Sequence, residues 1–95
     1  DLEMQEYLKI LQINPENENA IFYLALCYET KAMYEEAIKL YEKLLKKTPD
    51  DAETMFNLGL AYLTVGQKEK AKALYPKLKS IDPGYGEKLR RLAEG

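Results

Sequence analysis

Histidine and tryptophan are absent from this 95-residue chain, and cysteine occurs once, as Cys27. Those gaps exclude an intramolecular disulfide, a thiolate zinc site and any acid, base or metal chemistry built on imidazole. Catalysis would have to run on carboxylates, lysine, tyrosine and hydroxyls. Long apolar runs are also missing: the longest is a few residues, where a membrane span needs about 20. No basic leader precedes an apolar stretch, so the sequence predicts neither membrane insertion nor a secretory signal. Glycine and proline are sparse at five and four, and the chain is 46% hydrophobic and 32% charged. That is the composition of one small globular domain. The first residue is Asp1 rather than methionine, which fits an excised piece and leaves the compartment open.

Net charge is only −2, yet it is unevenly spread. Residues 1–30 hold one lysine against six acidic residues, and residues 65–95 hold eight basic against four acidic. An acidic start therefore faces a basic end.

The chain matches itself at a shift of 34 residues. Setting 15–48 on 49–82 pairs Pro15 with Pro49, Phe22 with Phe56, Leu24 with Leu58, Leu26 with Leu60, Tyr28 with Tyr62 and Thr30 with Thr64. It also pairs Glu35 with Glu69, Ala37 with Ala71, Leu40 with Leu74, Tyr41 with Tyr75, Lys43 with Lys77 and Leu44 with Leu78. Unrelated segments of ordinary composition would agree at roughly two places. The same shift carries Tyr7, Lys9 and Leu11 onto Tyr41, Lys43 and Leu45, and Glu53 and Leu58 onto Glu87 and Leu92. Two complete units thus lie between two partial ones: 1–14 as the second helix of a partial repeat, 15–48, 49–82, and 83–95 as a closing or partial-repeat helix.

Within each unit the apolar residues recur at three or four, as in Ile21, Leu24, Ala25 and Tyr28, then Ala37, Leu40, Tyr41 and Leu44. That spacing is helical, and strand alternation is absent. Helices are expected over 2–13, 17–30, 34–47, 51–65, 68–81 and 86–93. Asp50 with Glu53 has the form of a capping box, and Gly66 suits a left-handed helix end. Pro76, inside the fifth helix, predicts a bend or early break between Leu74 and Lys77.

A 34-residue helix–turn–helix unit with Leu24, Ala25 and Tyr28 on its first helix, Ala37 and Tyr41 on its second and Pro49 at its end resembles the tetratricopeptide repeat. Leu58, Gly59, Tyr62, Ala71, Tyr75 and Pro83 stand at the same places in the second copy. Ile21 and Met55 replace the frequent Trp, and Tyr41 and Tyr75 the frequent Phe. The resemblance implies an all-α fold, with antiparallel helix–turn–helix repeats stacked into a right-handed superhelix, an α-solenoid fragment. Ala25, Gly59, Ala37 and Ala71 are then small because the two helices of a pair approach closely.

The resemblance also implies a non-catalytic protein-interaction module, needing no cofactor or metal, whose first helices line a concave groove for a protein or peptide partner. In this register the groove is lined by Asn19, Phe22, Tyr23, Leu26 and Thr30, then Glu53, Phe56, Asn57, Leu60 and Thr64, then Arg90 and Arg91. Phe22, Tyr23, Leu26, Phe56 and Leu60 are the expected anchors for an apolar peptide or helix, Asn57 a bond to partner backbone and Arg91 a partner for a carboxylate. Apolar residues at helical spacing are also what a core requires, so Phe22, Leu26, Phe56 and Leu60 have a competing assignment. A subset of the family grips acidic tails through a Lys, Asn and Arg clamp. Asn57 and Arg91 match it, but Phe22, Leu26 and Glu87 stand where it needs Lys, Asn and Lys.

Two other classes remain open: a self-assembly module stacking through its terminal helices as a homo-oligomer, and a regulatory appendage of a larger enzyme. Cys27 is expected as a small buried thiol. Glu35–Glu36, Asp50–Asp51 and Lys46–Lys47 complement helix dipoles. Lys68, Lys70, Lys72, Lys77 and Lys79 make a basic surface, but with few aromatics interleaved the reading is no nucleic acid.

Overall fold

The computed structural model describes residues 2–94. They form six helices: α1 Leu2–Ile13, α2 Glu18–Thr30, α3 Tyr34–Lys47, α4 Ala52–Thr64, α5 Lys68–Ile81 and α6 Pro83–Glu94. Among the described residues there is no strand. Each helix packs on its neighbours in chain order, and α6 also reaches α4. The stack is elongated, with a long axis of 39 Å.

Side chains close the N-termini of the first helix of each unit. Asn17 accepts from the Ala20 amide at 2.9 Å, and Asp51 Oδ1 from the Thr54 amide at 3.2 Å. Asp51 also takes the Thr54 hydroxyl at 2.9 Å, which satisfies the buried polar side chain of Thr54. The capping residue is thus Asp51, not Asp50; Asp50 instead faces Lys77 across 3.9 Å. Both are acidic, and only the position of the first helical turn separates them.

Each first helix ends in a Schellman turn. The Met33 amide bonds back to the Tyr28 carbonyl and the Gln67 amide to that of Tyr62, each at 2.8 Å. The residue before each donor is left-handed: Gly66 at φ 82°, as its glycine predicts, and Ala32 at φ 61°. Only one copy of the turn carries the residue suited to it.

The last corner departs from the other two. Asp82 donates its amide to Leu78 O at 2.7 Å, ending α5, and accepts the Tyr85 amide on Oδ1 at 3.1 Å, opening α6. One residue therefore ends one helix and begins the next. Pro83 becomes the first residue of α6, where its missing amide costs nothing, so the helix starts three residues before its expected place. Had the turn copied the first two, Tyr85 would have had to serve as the cap. The short corner presses α6 onto α5: a Cβ at Gly86 would lie 2.5 Å from Lys79 Cα.

Pro76 does not break α5, which runs through it from Lys68 to Ile81. Pro76 and Lys72 both lie on the exposed side of α5. Ala71 and Leu78, both fully buried, hold the helix on either side.

The core has two parts. Ala25, Ala37, Tyr41, Leu58, Ala61, Tyr62 and Ala71 form one, and Met55, Phe56, Leu78 and Leu89 the other. Ala25, Ala37 and Ala71 are fully buried, whereas Gly59 meets the following unit and not its own pair: a Cβ there would touch Leu89 of α6 at 2.8 Å.

Ala32→Gly is expected to raise stability by about 1 kcal/mol in urea unfolding, because it relieves a left-handed alanine. Gly86→Ala is expected to lower it by about 2 kcal/mol in the same measurement, since backbone atoms of α5 have to give way.

Candidate functional site

The residues expected to face a partner separate into three environments. Around α2 an aromatic row is open to solvent. Tyr23, 46% exposed, stacks on Tyr7 of α1 with centroids 5.7 Å apart, and its ring meets the edge of Phe22 at 5.6 Å. Phe22 continues to Tyr41 at 6.2 Å. Two clefts flank the row. Glu3, Tyr7, Tyr23, Leu26, Cys27 and Thr30 line one of about 300 Å³. Glu18, Asn19, Phe22, Tyr23, Leu44, Asp51 and Glu53 line one of about 190 Å³. Cys27 is only half-buried at the cleft edge, because α1 leaves that side of α2 partly open.

Around α4 the same register positions lie deeper. Phe56 is buried, stacked on Tyr85 at 4.8 Å with the Lys88 ammonium 5.9 Å from its ring. Leu60 is half-buried against the same cluster. Asn57 is half-buried too. α6 supplies the cover that α2 lacks. The exposed Thr30 and Thr64 hydroxyls bond back along their own helices, donating to the Leu26 and Leu60 carbonyls at 3.0 and 2.9 Å.

Around α6 the surface is ionic. Arg90 is held between Glu87 and Glu94, while Arg91 extends into solvent, 76% exposed, with Nε 3.8 Å from Glu87. These arginines hold the Glu87 carboxyl below its ordinary range, Arg90 acting first through its hydrogen bond.

Two tyrosine hydroxyls differ in how they are met. Tyr62 donates to Glu42 Oε2 at 2.5 Å, which ties α4 to α3. Tyr41 is fully buried, and among the described residues its hydroxyl makes no well-formed hydrogen bond, although Glu29 and Asn57 lie near it. Burial first, then the charge of nearby Glu29, pushes its phenol far above the ordinary value. Burial likewise raises the Glu29 carboxyl. The basic face of α5 is partly engaged within the chain, with Lys70 over the Tyr62 ring at 5.7 Å and Lys79 over Tyr75 at 5.8 Å.

Among the described residues no group of three or more His, Cys, Asp or Glu is placed to hold a metal ion. No helix among them is long and apolar enough to cross a membrane.

Profiles of the tetratricopeptide repeat match residues 6–39 and 52–85, and a TPR repeat profile matches 33–66. Together they run from 6 to 85. The chain belongs to the tetratricopeptide repeat family. The matches at 6–39 and 33–66 begin on second helices and that at 52–85 on a first helix, as a two-helix period allows. No curated protein matches the chain in a sequence comparison. Tetratricopeptide repeats generally mediate protein–protein interaction and are typically non-catalytic.

Reading groove positions from the repeat register missed Tyr7, because α1 belongs to a partial unit whose second helix was not expected to reach the site. Its signal was present as the shift that pairs Tyr7 with Tyr41.

Tyr41→Phe is expected to raise stability by about 1 kcal/mol, because it removes a buried hydroxyl that makes no well-formed bond. Tyr62→Phe is expected to cost about 1.5 kcal/mol, since it frees a carboxylate from its donor. Paired thermal or urea unfolding curves separate the two.

Proposed function

We propose that the chain is a non-catalytic interaction module that binds an apolar peptide or helix segment of a protein partner along its first helices. The domain is the whole chain, read as a partial unit over 1–14, repeats over 15–48 and 49–82, and a closing helix over 83–95. The observation that carries the reading is the stacked row of exposed Tyr23 with half-buried Tyr7 and Phe22, bordered by two clefts. A helix with only a structural duty would present polar side chains there.

Tyr23, Leu26 and Phe22 serve as the anchors in this reading. Each apolar side chain covered by a partner contributes about 1.5–3 kcal/mol before ordering costs, so three or four sustain micromolar binding. Asn57 bonds partner backbone, Leu60 extends the apolar track and Arg91 meets a carboxylate at its far end. Phe56, buried under Tyr85, supports the track from beneath rather than touching the partner. The lysine clamp for acidic tails has no counterpart at Phe22, Leu26 or Glu87.

The test is a peptide array of extended apolar and amphipathic helical sequences, followed by titration of the best binders. Tyr23→Ala with Leu26→Ala is expected to weaken binding at least tenfold while the far-ultraviolet dichroism stays helical. Phe56→Ala is expected to destabilise the fold by about 3–5 kcal/mol instead. Unchanged affinity in the Tyr23 and Leu26 double variant would overturn the assignment of the anchors.

A further inference from the structure

Two junctions between first helices, α2 with α4 and α4 with α6, share one register and are filled differently. At the second, α6 packs directly on α4, and Phe56 is covered by the Tyr85 ring at 4.8 Å with the Lys88 ammonium 5.9 Å away. At the first, α4 makes no comparable contact with α2. The 34-residue shift puts Phe22 at the place of Phe56, Asp51 at that of Tyr85 and Thr54 at that of Lys88. Asp51 is short, both its oxygens accept from Thr54 in capping α4, and Thr54 is itself buried. Phe22 therefore lacks both the stacked ring and the cation of its counterpart, and a cleft of about 190 Å³ is left beside it. Complete units stand on both sides of this cleft, so its opening does not depend on the ends of the sequence.

Carboxylates at this junction are left over in the same way. Glu53 holds the place of Glu87, which is paired by Arg90 and approached by Arg91 at 3.8 Å. On α4 those two places are Phe56 and Asn57, so Glu53 has no cation. Among the described residues neither Glu53 nor Glu18, which lines the same cleft from α2, has an ion-pair partner. Charge is segregated by helix around them: α2 and α4 carry Glu18, Glu29 and Glu53 and no basic residue, while α3 carries four lysines and α5 five.

We propose that the partner segment is cationic at one point: a lysine or arginine enters the cleft between α2 and α4, its charge against Glu18 and Glu53 and its stem along the Phe22 and Tyr23 rings. The site rests on the partner track along the first helices proposed above, and it adds the charge that selects among apolar segments. The carboxylates attract a cation and an aromatic face holds one. The aliphatic stem covers ring surface while the charged head keeps its water. The chain already uses the combination at its second junction, where Lys88 lies over Phe56. An acidic segment meets only repulsion from this face.

Titration of synthetic peptides tests this, using amphipathic helical and extended apolar segments, each made with Lys, Met or Glu at one central position. Met keeps the length and apolar area of Lys and removes the charge. The Lys peptide is expected to bind about tenfold more tightly than the Met peptide, and the Glu peptide more weakly than either. The Lys advantage is expected to shrink as salt rises. In Glu18→Gln with Glu53→Gln, both at exposed positions, that advantage is expected to disappear. In Glu18→Lys the Glu peptide is expected to overtake the Lys peptide. Circular dichroism checks that the variants stay helical. Lys and Met peptides of equal affinity overturn the cation site; if Tyr23→Ala with Leu26→Ala still weakens both, the apolar track stands and the cation site alone falls. A Lys advantage that survives in the Glu18 and Glu53 double variant overturns it as well. If no peptide of any charge binds, the track and the cation site fall together.

Discussion

A two-helix unit has more apolar surface than its two helices can cover for each other, and the rest must be met by the next unit. Burial in this chain follows that constraint. α4, in contact with α3, α5 and α6, buries seven residues, whereas α1, in contact with α2, buries none. The same residue type therefore has different roles along the stack. Phe56 is core because α6 lies over it with Tyr85; Phe22, at the same register position, is half-buried because no helix lies over α2 in that way. Exposure here is a property of place in the stack more than of side-chain chemistry.

That is also why the fold was legible in the sequence and the site only partly so. The period, the six helices and the left-handed Gly66 are local and repeat at a fixed interval, and they are found where the spacing puts them. Asp51 rather than Asp50 as the cap could not be read locally, because either carboxylate satisfies the pattern and a single residue of register decides between them. The early start of α6 came from Asp82, which does two jobs at once, a possibility outside the copied turn. At Pro76 the early break does not occur, since Ala71 and Leu78 are fully buried and hold the helix on either side. For the anchors the register correctly grouped Phe22 with Phe56 and Leu26 with Leu60 by position, but it carried no information on which neighbour covers each.

Polar groups obey the same gradient. Where two units meet, the Tyr62 phenol finds Glu42, and at the start of α4 Thr54 finds Asp51. Tyr41 lies equally deep, yet its hydroxyl makes no well-formed bond, and nearby Glu29 is held partly away from water. A phenol at a position where the family often has Phe adds an unmet donor to a core that needs only the ring. Ring packing therefore accounts for Tyr41, with Phe22 against its edge, and the hydroxyl is tolerated rather than used.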